Sequence, residues 1–173
     1  RRVSQLRALR HDLDIRPLRG NIETRMSYVE RGELDAIILA YAGLCRGGYA
    51  ERATEVFDPA TLMPAPAQGA LAVECRADDA ATRAALDALV SAEATACAAA
   101  ERQVLATLEA GCTAPVAAYA ELGEHGALTL HAGVFAVDGS TQLVETLTGT
   151  DAAALGREAA EKLLERGAAD IME

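Results

Sequence analysis

Tryptophan is absent, and only four Tyr and two Phe occur among 173 residues. So few rings argue against stacking platforms for bases or sugars. Positive charge is also scarce. Sixteen Lys plus Arg face 26 Asp plus Glu, a net charge of −10, which excludes a uniformly basic nucleic-acid binder. The four cysteines, at 45, 75, 97 and 112, form no CxxC, and His11, His125 and His131 stand at no ligand spacing from them. A zinc site is not indicated. Neither a GxGxxG nor a P-loop signature occurs, so no nucleotide is specifically indicated. No signal peptide and no long uninterrupted apolar run are found, which gives the expectation of a cytoplasmic protein with reduced thiols and no membrane partner.

What is abundant is alanine, with 39 residues, against 38 for Leu, Ile, Val and Phe combined. Such a chain builds its core from aliphatic side chains and Ala-lined helix contacts. Its length suits one domain or two small ones. Charge is divided unevenly. Residues 1–52 hold ten Arg and no Lys against seven acids, net +3, and the remainder is net −13. Arg presents a planar fork to carboxylate or phosphate, but high-GC coding also favours Arg and Ala, and on composition alone that bias is the preferred explanation.

Along the chain, Val3, Leu6 and Leu9 mark the apolar face of a short helix. Residues 14–19 read as a short strand ending at Gly20. Asn21 caps a helix with Ile22, Met26 and Val29 on one side, ended by Gly32. The run 35–40 has the length and continuity of a buried parallel strand. A short helix at Gly43-Leu44 is cut off by Gly47-Gly48. This alternation indicates an α/β layer with a mostly parallel sheet, although two strands do not make a self-sufficient one. Pro59, Pro64, Pro66 and Gly69 form a linker-like stretch, followed by a strand candidate at 71–75. Asp78 or Asp79 caps a helix to about Leu89, and a second runs from Ser91 to Leu108. Three strands follow, at 116–122, 128–137 and 143–148, with hairpin turns at 124–126 and 138–140. A last helix spans 152–166, stopped by Gly167. The C-terminal half is therefore a small α+β domain with a three-stranded antiparallel sheet and helices.

Two groups of residues could carry chemistry. Cys112 lies between Gly111 and Thr113-Ala114-Pro115, on a tight loop between a helix and a strand. It reads equally as a packed thiol or as a nucleophile or covalent attachment point. Cys45, Cys75 and Cys97 fall inside elements and read as small buried hydrophobes. Arg1, Arg2, Arg19 and Arg25 form the other group. Arg1 and Arg2 open a helix, Arg19 ends a strand and Arg25 lies on the next helix, the rim where open parallel sheets bind ligands. Gly20-Asn21 adds backbone N–H groups that can face an anion. The plainer reading is a solvated charged face; the sharper one is a small polyanionic ligand.

Five blocks in order carry a resemblance. They are Arg1-Arg-Val-Ser-Gln-Leu-Arg7, Leu18-Arg-Gly-Asn-Ile-Glu-Thr-Arg25, Asp35-Ala-Ile-Ile-Leu-Ala-Tyr-Ala-Gly-Leu44, Leu62-Met-Pro-Ala-Pro-Ala-Gln-Gly-Ala-Leu71 and Leu108-Glu-Ala-Gly-Cys-Thr-Ala-Pro-Val116. With these the chain resembles the porphobilinogen deaminase (hydroxymethylbilane synthase) family, a family of transferases in tetrapyrrole and heme biosynthesis. The resemblance implies a reaction in which four porphobilinogen units are joined head to tail, with loss of ammonia at each step, to hydroxymethylbilane. It implies a dipyrromethane cofactor held by a thioether to Cys112, with Arg1 and Arg2 binding its carboxylates. Arg19 and Arg25 would serve catalysis and meet the incoming unit or growing chain, and Arg46 and Arg76 would join them in substrate binding. Gln68 and Gly69 would form the hinge-side wall of the cleft.

The family has three domains, and the resemblance places the start of this chain inside the second. Residues 1–66 would be the remainder of that α/β domain, part of a periplasmic-binding-protein-like lobe. Residues 67–88 would be a crossover strand and helix belonging to the first domain, and 89–173 the C-terminal α+β domain carrying the cofactor cysteine. The aspartate that stabilises cationic intermediates in the family has no counterpart here, so the chain alone is expected to be incomplete for catalysis. The expected partners are porphobilinogen, the growing linear pyrrole chain and an N-terminal domain, in a monomeric protein. Thr113-Ala114 departs from the more polar or bulky residues common after the family's cysteine. A non-catalytic anion-binding module and an inactive fragment are the alternative readings.

Overall fold

The computed structural model describes residues 1–111 and 113–172, leaving Cys112 and Glu173 outside the described residues. Packing divides the chain into two units, Arg1–Leu13 with the chain from Pro59 onward, and Asp14–Asp58.

The first unit is built on a meander. Strands β1 (Val116–Leu122), β2 (Leu128–Phe135) and β3 (Gln142–Gly149) form an antiparallel sheet in that order. Val116 pairs with Val134 and Leu122 with Leu128, and β2 continues from Leu128 opposite Gly149 to Phe135 opposite Gln142. Helices α5 (Ala92–Thr107) and α6 (Ala152–Glu165) cover one face. Ser91 caps α5 by accepting the Ala94 N–H at 3.2 Å, and Asp151 caps α6 by accepting the Ala154 N–H at 2.9 Å. The alternating inward residues of β2, Leu128, Leu130, Ala132 and Val134, meet Val104, Leu108, Leu155 and Leu163 in one core. Small residues let the helices approach closely. A Cβ on Gly156 would lie 2.3 Å from the Ala100 carbonyl oxygen. A short helix α7 (Ala168–Met172) follows Gly167, where the sequence suggests a stop.

Helix α1 (Arg2–Leu9) belongs to this unit, and its buried residues are Ser4 and Gln5 rather than the predicted apolar face. Val3 and Leu9 are exposed. A polar face can go inward here because the Gln5 amide is hydrogen-bonded to a backbone peptide. Helix α4 (Ala80–Leu86), capped by Asp79, ends in a single 3-10 turn at Asp87–Leu89.

The second unit contains α2 (Ile22–Glu30) and α3 (Tyr41–Arg46). Asn21 caps α2 as predicted, its side-chain oxygen accepting the Thr24 N–H at 2.8 Å. The strands predicted at 14–19, 35–40 and 71–75 are irregular chain outside any sheet. A strand is a paired state, and among the described residues no neighbouring strand completes a ladder with them. The apolar run 37–39 is consequently only half-buried, and Leu71 is 81% exposed.

Candidate functional site

Arg1 and Arg2 stand at the N-terminal end of α1, whose first turn holds no acid. Two cations beside the positive end of a helix dipole concentrate charge of one sign. Arg1 is fixed by neutral oxygens. Its Nη1 donates to the Met63 carbonyl at 2.9 Å and its Nη2 to the Gln68 side-chain oxygen at 3.2 Å. Burial and then the charge of Arg2 lower the guanidinium pKa from its ordinary value. The charge is thus oriented without being neutralised by those contacts, an arrangement suited to a carboxylate ligand. A cofactor bearing several carboxylates fits this end of α1.

The segment 63–68 that holds Arg1 is itself fastened on several sides. Gln5 clasps the Met63 peptide, donating from Nε2 to its carbonyl at 3.0 Å and accepting its N–H on Oε1 at 2.8 Å. Met63 is buried against Ala117 and Phe135 on the sheet face opposite the helices. The Pro64 carbonyl accepts the Ala118 N–H at 3.2 Å, and so covers part of the free edge of β1. Glu101, 7% exposed in α5, accepts the Ala67 N–H at 2.5 Å and the Ala120 N–H at 2.8 Å. Burial pushes its carboxyl pKa up, and the two N–H donors pull against that. Gln5 and Glu101 are absent from the sequence-predicted site. The signal for Glu101 was present: it is a carboxylate on the Cys97, Val104, Leu108 stripe of an otherwise apolar helix face.

Of the remaining predicted residues in this unit, Gln68, Gly69 and Arg76 are exposed. Gln68 meets Arg1, as above. In the other unit, Arg25 donates from Nε to the Gly20 carbonyl at 2.7 Å, bracing the turn that carries exposed Arg19. Gly20 has φ +119°, which side chains rarely adopt, and a Cβ there would lie 3.0 Å from the Thr24 methyl. The rim predicted at the end of a strand is therefore a braced turn before a helix. Asn21 already uses one of that helix's free N–H groups. Arg46 is exposed in the last turn of α3.

Cys112 lies outside the described residues. The loop flanking it contains Glu109 at φ +50° and a turn in which the Ala114 N–H meets the Gly111 carbonyl at 3.0 Å. A hollow of about 290 Å³ is lined by residues 108–111 and 113–115 together with Val137 and Met172. Arg7 of α1 donates to the Val137 carbonyl at 3.0 Å, so the helix that opens with Arg1-Arg2 also touches the wall of this hollow. The other cysteines depart from the buried reading. Cys45 and Cys75 are exposed and only Cys97 is partly buried, its thiol pKa raised first by burial and then by nearby carboxylates. Among the described residues, no three His, Cys, Asp or Glu side chains could share a metal ion, and no helix is long and apolar enough to cross a membrane.

Fold and site together define a protein with a small α+β domain and an N-terminal helix whose Arg1 guanidinium is oriented by neutral oxygens. Two family models give that class a name. "Porphobilinogen deaminase, dipyromethane cofactor binding domain" matches residues 1–84, and "Porphobilinogen deaminase, C-terminal domain" matches residues 95–165. The chain belongs to the porphobilinogen deaminase family. Relatives named porphobilinogen deaminase include those of Corynebacterium glutamicum, 57% identical, Corynebacterium aurimucosum, 59% identical, and Mycobacterium marinum, 47% identical. Each similarity covers 99% of this chain and 58% of the relative, so the chain spans a little over half the length of these curated relatives.

Proposed function

We propose that this chain forms the cofactor-carrying and part of the substrate-binding portion of a porphobilinogen deaminase. The reaction is the joining of four porphobilinogen units, with loss of four ammonia molecules and uptake of one water that becomes the terminal hydroxyl, to hydroxymethylbilane. The observation that carries this reading is the ordered match of both family models across residues 1–84 and 95–165. The Arg1 guanidinium, oriented by two neutral oxygens, supports it independently.

When bound, a dipyrromethane on Cys112 would supply an anchored end to which new units are added. This chain's own residues do the rest. Arg1 and Arg2 hold carboxylates of the anchored group, and Gln68 and the Met63 carbonyl fix the direction of the Arg1 fork. Arg19 and Arg25 meet the carboxylates of the incoming unit or growing chain, with Arg46 and Arg76 as further contacts and Gly69 beside Gln68 in the cleft wall. Each acetate and propionate needs a cationic partner, because a carboxylate buried without one is costly. Residues 1–66 would complete a periplasmic-binding-protein-like lobe, residues 67–88 would cross into the first domain, and 89–173 would form the C-terminal domain. Strand partners for 14–19, 35–40 and 71–75 would come from the part that the longer relatives carry. The protein would act as a cytoplasmic monomer together with that part.

The test is made on protein purified from cells that make porphobilinogen. Its intact mass is expected to exceed the sequence mass by two pyrrole units, and Cys112→Ser is expected to show the bare mass. In the full-length enzyme, Arg19→Leu or Arg25→Leu should stall elongation, each leaving a carboxylate unpaired at a cost of about 1–3 kcal/mol. A bare mass in the loaded preparation, or normal product from both arginine variants, would overturn the reading.

A further inference from the structure

Glu101 is the one buried carboxylate among the buried polar side chains described, and its neighbours suggest a role away from chemistry. Both of its oxygens are occupied. One takes the Ala120 N–H on the open edge of β1, and the other takes the Ala67 N–H, in the segment that holds Arg1. Both oxygens are engaged by backbone donors and the side chain is buried, which points to a structural rather than an acid–base role.

Ala67 is a non-glycine residue at φ +59°, so its backbone is held in a conformation it does not favour by itself. The residue next to it, Gln68, accepts from Arg1 at 3.2 Å, and Met63 of the same segment accepts from Arg1 at 2.9 Å. A continuous line of contacts therefore runs from Glu101 through Ala67 and Gln68 to the Arg1 guanidinium. The other fasteners act elsewhere on the segment: Gln5 at Met63, and Ala118 at Pro64. Among these contacts, only Glu101 holds the Ala67 turn.

We propose that Glu101 is a positioning residue, which pins the Ala67 turn to β1 so that Gln68 and the Met63 carbonyl keep the Arg1 fork in one orientation. The identity of the ligand that Arg1 meets rests on the proposed function; the pin itself does not. Glutamine is the informative replacement, since it keeps the size of the side chain and turns one N–H acceptor into an N–H donor facing another donor. Glu101→Asp is the second replacement: it keeps the carboxylate but shortens its reach by one methylene, so that it no longer spans to both N–H groups.

The experiment is amide hydrogen exchange on this chain, in wild type, Glu101→Gln, Arg1→Leu and the double variant, with porphobilinogen titrated into each. Glu101→Gln should speed exchange of the Ala67 and Ala120 amides about tenfold or more, while Leu130 in the central strand stays protected. Glu101→Asp should speed exchange at Ala67 or Ala120 in the same way, which decides the matter if Glu101→Gln fails to fold. Exchange effects of Glu101→Gln and Arg1→Leu at Gln68 should combine to less than their product, as coupled neighbours do. Porphobilinogen carries the same acetate and propionate groups as each ring of the anchored cofactor and so serves as the probe of the Arg1 fork: Glu101→Gln should weaken its binding several-fold when Arg1 is present and have little further effect once Arg1 is Leu. Unchanged exchange at Ala67 and Ala120, or fully independent effects of the two substitutions, would overturn the pin. Absence of porphobilinogen binding to wild type would count against the proposed function alone, since the exchange cycle still decides the pin.

Discussion

The sheet-and-helix layer of residues 92–172 and the unit Asp14–Asp58 use similar side chains to different ends. In the first, every strand finds a neighbour within a few residues, and Leu128, Leu130, Val134, Val104 and Leu163 close into one core. In the second, α2 and α3 bury one residue each, Met26 and Leu44, and the run Ile37-Ile38-Leu39 remains half-buried. Antiparallel pairing is satisfied by short hairpins, whereas parallel strands need partners brought from far along a chain. Local pairing thus makes one region self-contained, and its lack leaves the other with apolar chain that no sheet covers.

The sharpest way to break this contrast is to overfill the helix contact of the first region. A Cβ at 156 would meet the Ala100 carbonyl at 2.3 Å and the Gln103 Cβ at 2.6 Å, and neither α5 nor α6 can yield without opening the core. Gly156→Ala should cost about 3 kcal/mol, at the upper end of overpacking, and should remove exchange protection throughout β2. Met26→Ala in the other unit should leave β2 protection unchanged. If both substitutions loosen β2 equally, the two regions fold as one and the contrast fails.

A smaller effect tests how far the self-contained region extends. The hairpin tip between β2 and β3 touches α1: Gly139 has φ +84°, and a Cβ there would lie 2.7 Å from the Arg7 Cβ and 2.8 Å from the Ala8 nitrogen. Gly139→Ala should cost about 1–2 kcal/mol, combining left-handed strain with crowding. The Arg10 amide, bonded to the Leu6 carbonyl at 2.7 Å, should exchange faster while β2 stays protected. Unchanged exchange in α1 would mean that the hairpin does not seat the helix bearing Arg1 and Arg2.

What could be read from the sequence divides instead by how local each signal is. Strand β1 is found at the predicted residues 116–122, Asn21 and Ser91 cap the helices they were expected to start, and of the two candidates Asp78 and Asp79 it is Asp79 that caps α4. Alternation, capping and turn chemistry are local signals, and these elements depend on little else. Strands at 14–19, 35–40 and 71–75 were written into hydrophobicity alone, and hydrophobicity does not supply a partner. Helix α7 escaped notice because Gly167 looks like an ending and only five residues follow it as helix. At the site, Arg1 and Gln68 were legible through motif and are hydrogen-bonded to each other. Gln5 was hidden because a polar residue on a short helix reads as solvated until its backbone partner at Met63 is known. Glu101 was hidden in the same way, although its place on an apolar stripe marks it as a side chain that must find donors.

That carboxylate also gives the smallest and most directional test of the comparison. Burial holds the Glu101 carboxyl above the ordinary value of 4.5, despite its two N–H donors. The folded chain therefore keeps this proton over a range in which the unfolded chain has released it. The group's contribution is fully present below 4.5 and is lost as pH rises through the raised value. The exposed Asp12, in the turn after the end of α1, behaves oppositely. The hydrogen bond from Arg10 lowers its carboxyl to about 2, so its contribution is lost only as pH falls toward that value. Urea unfolding of wild type and Glu101→Gln at about pH 4 and about pH 7 isolates the Glu101 contribution, because that of Asp12 is common to both proteins. The stability of wild type relative to the variant should decrease between the lower and the higher pH. An increase would mean that the Ala67 and Ala120 donors outweigh burial, and that the pin is strongest when the carboxylate is charged.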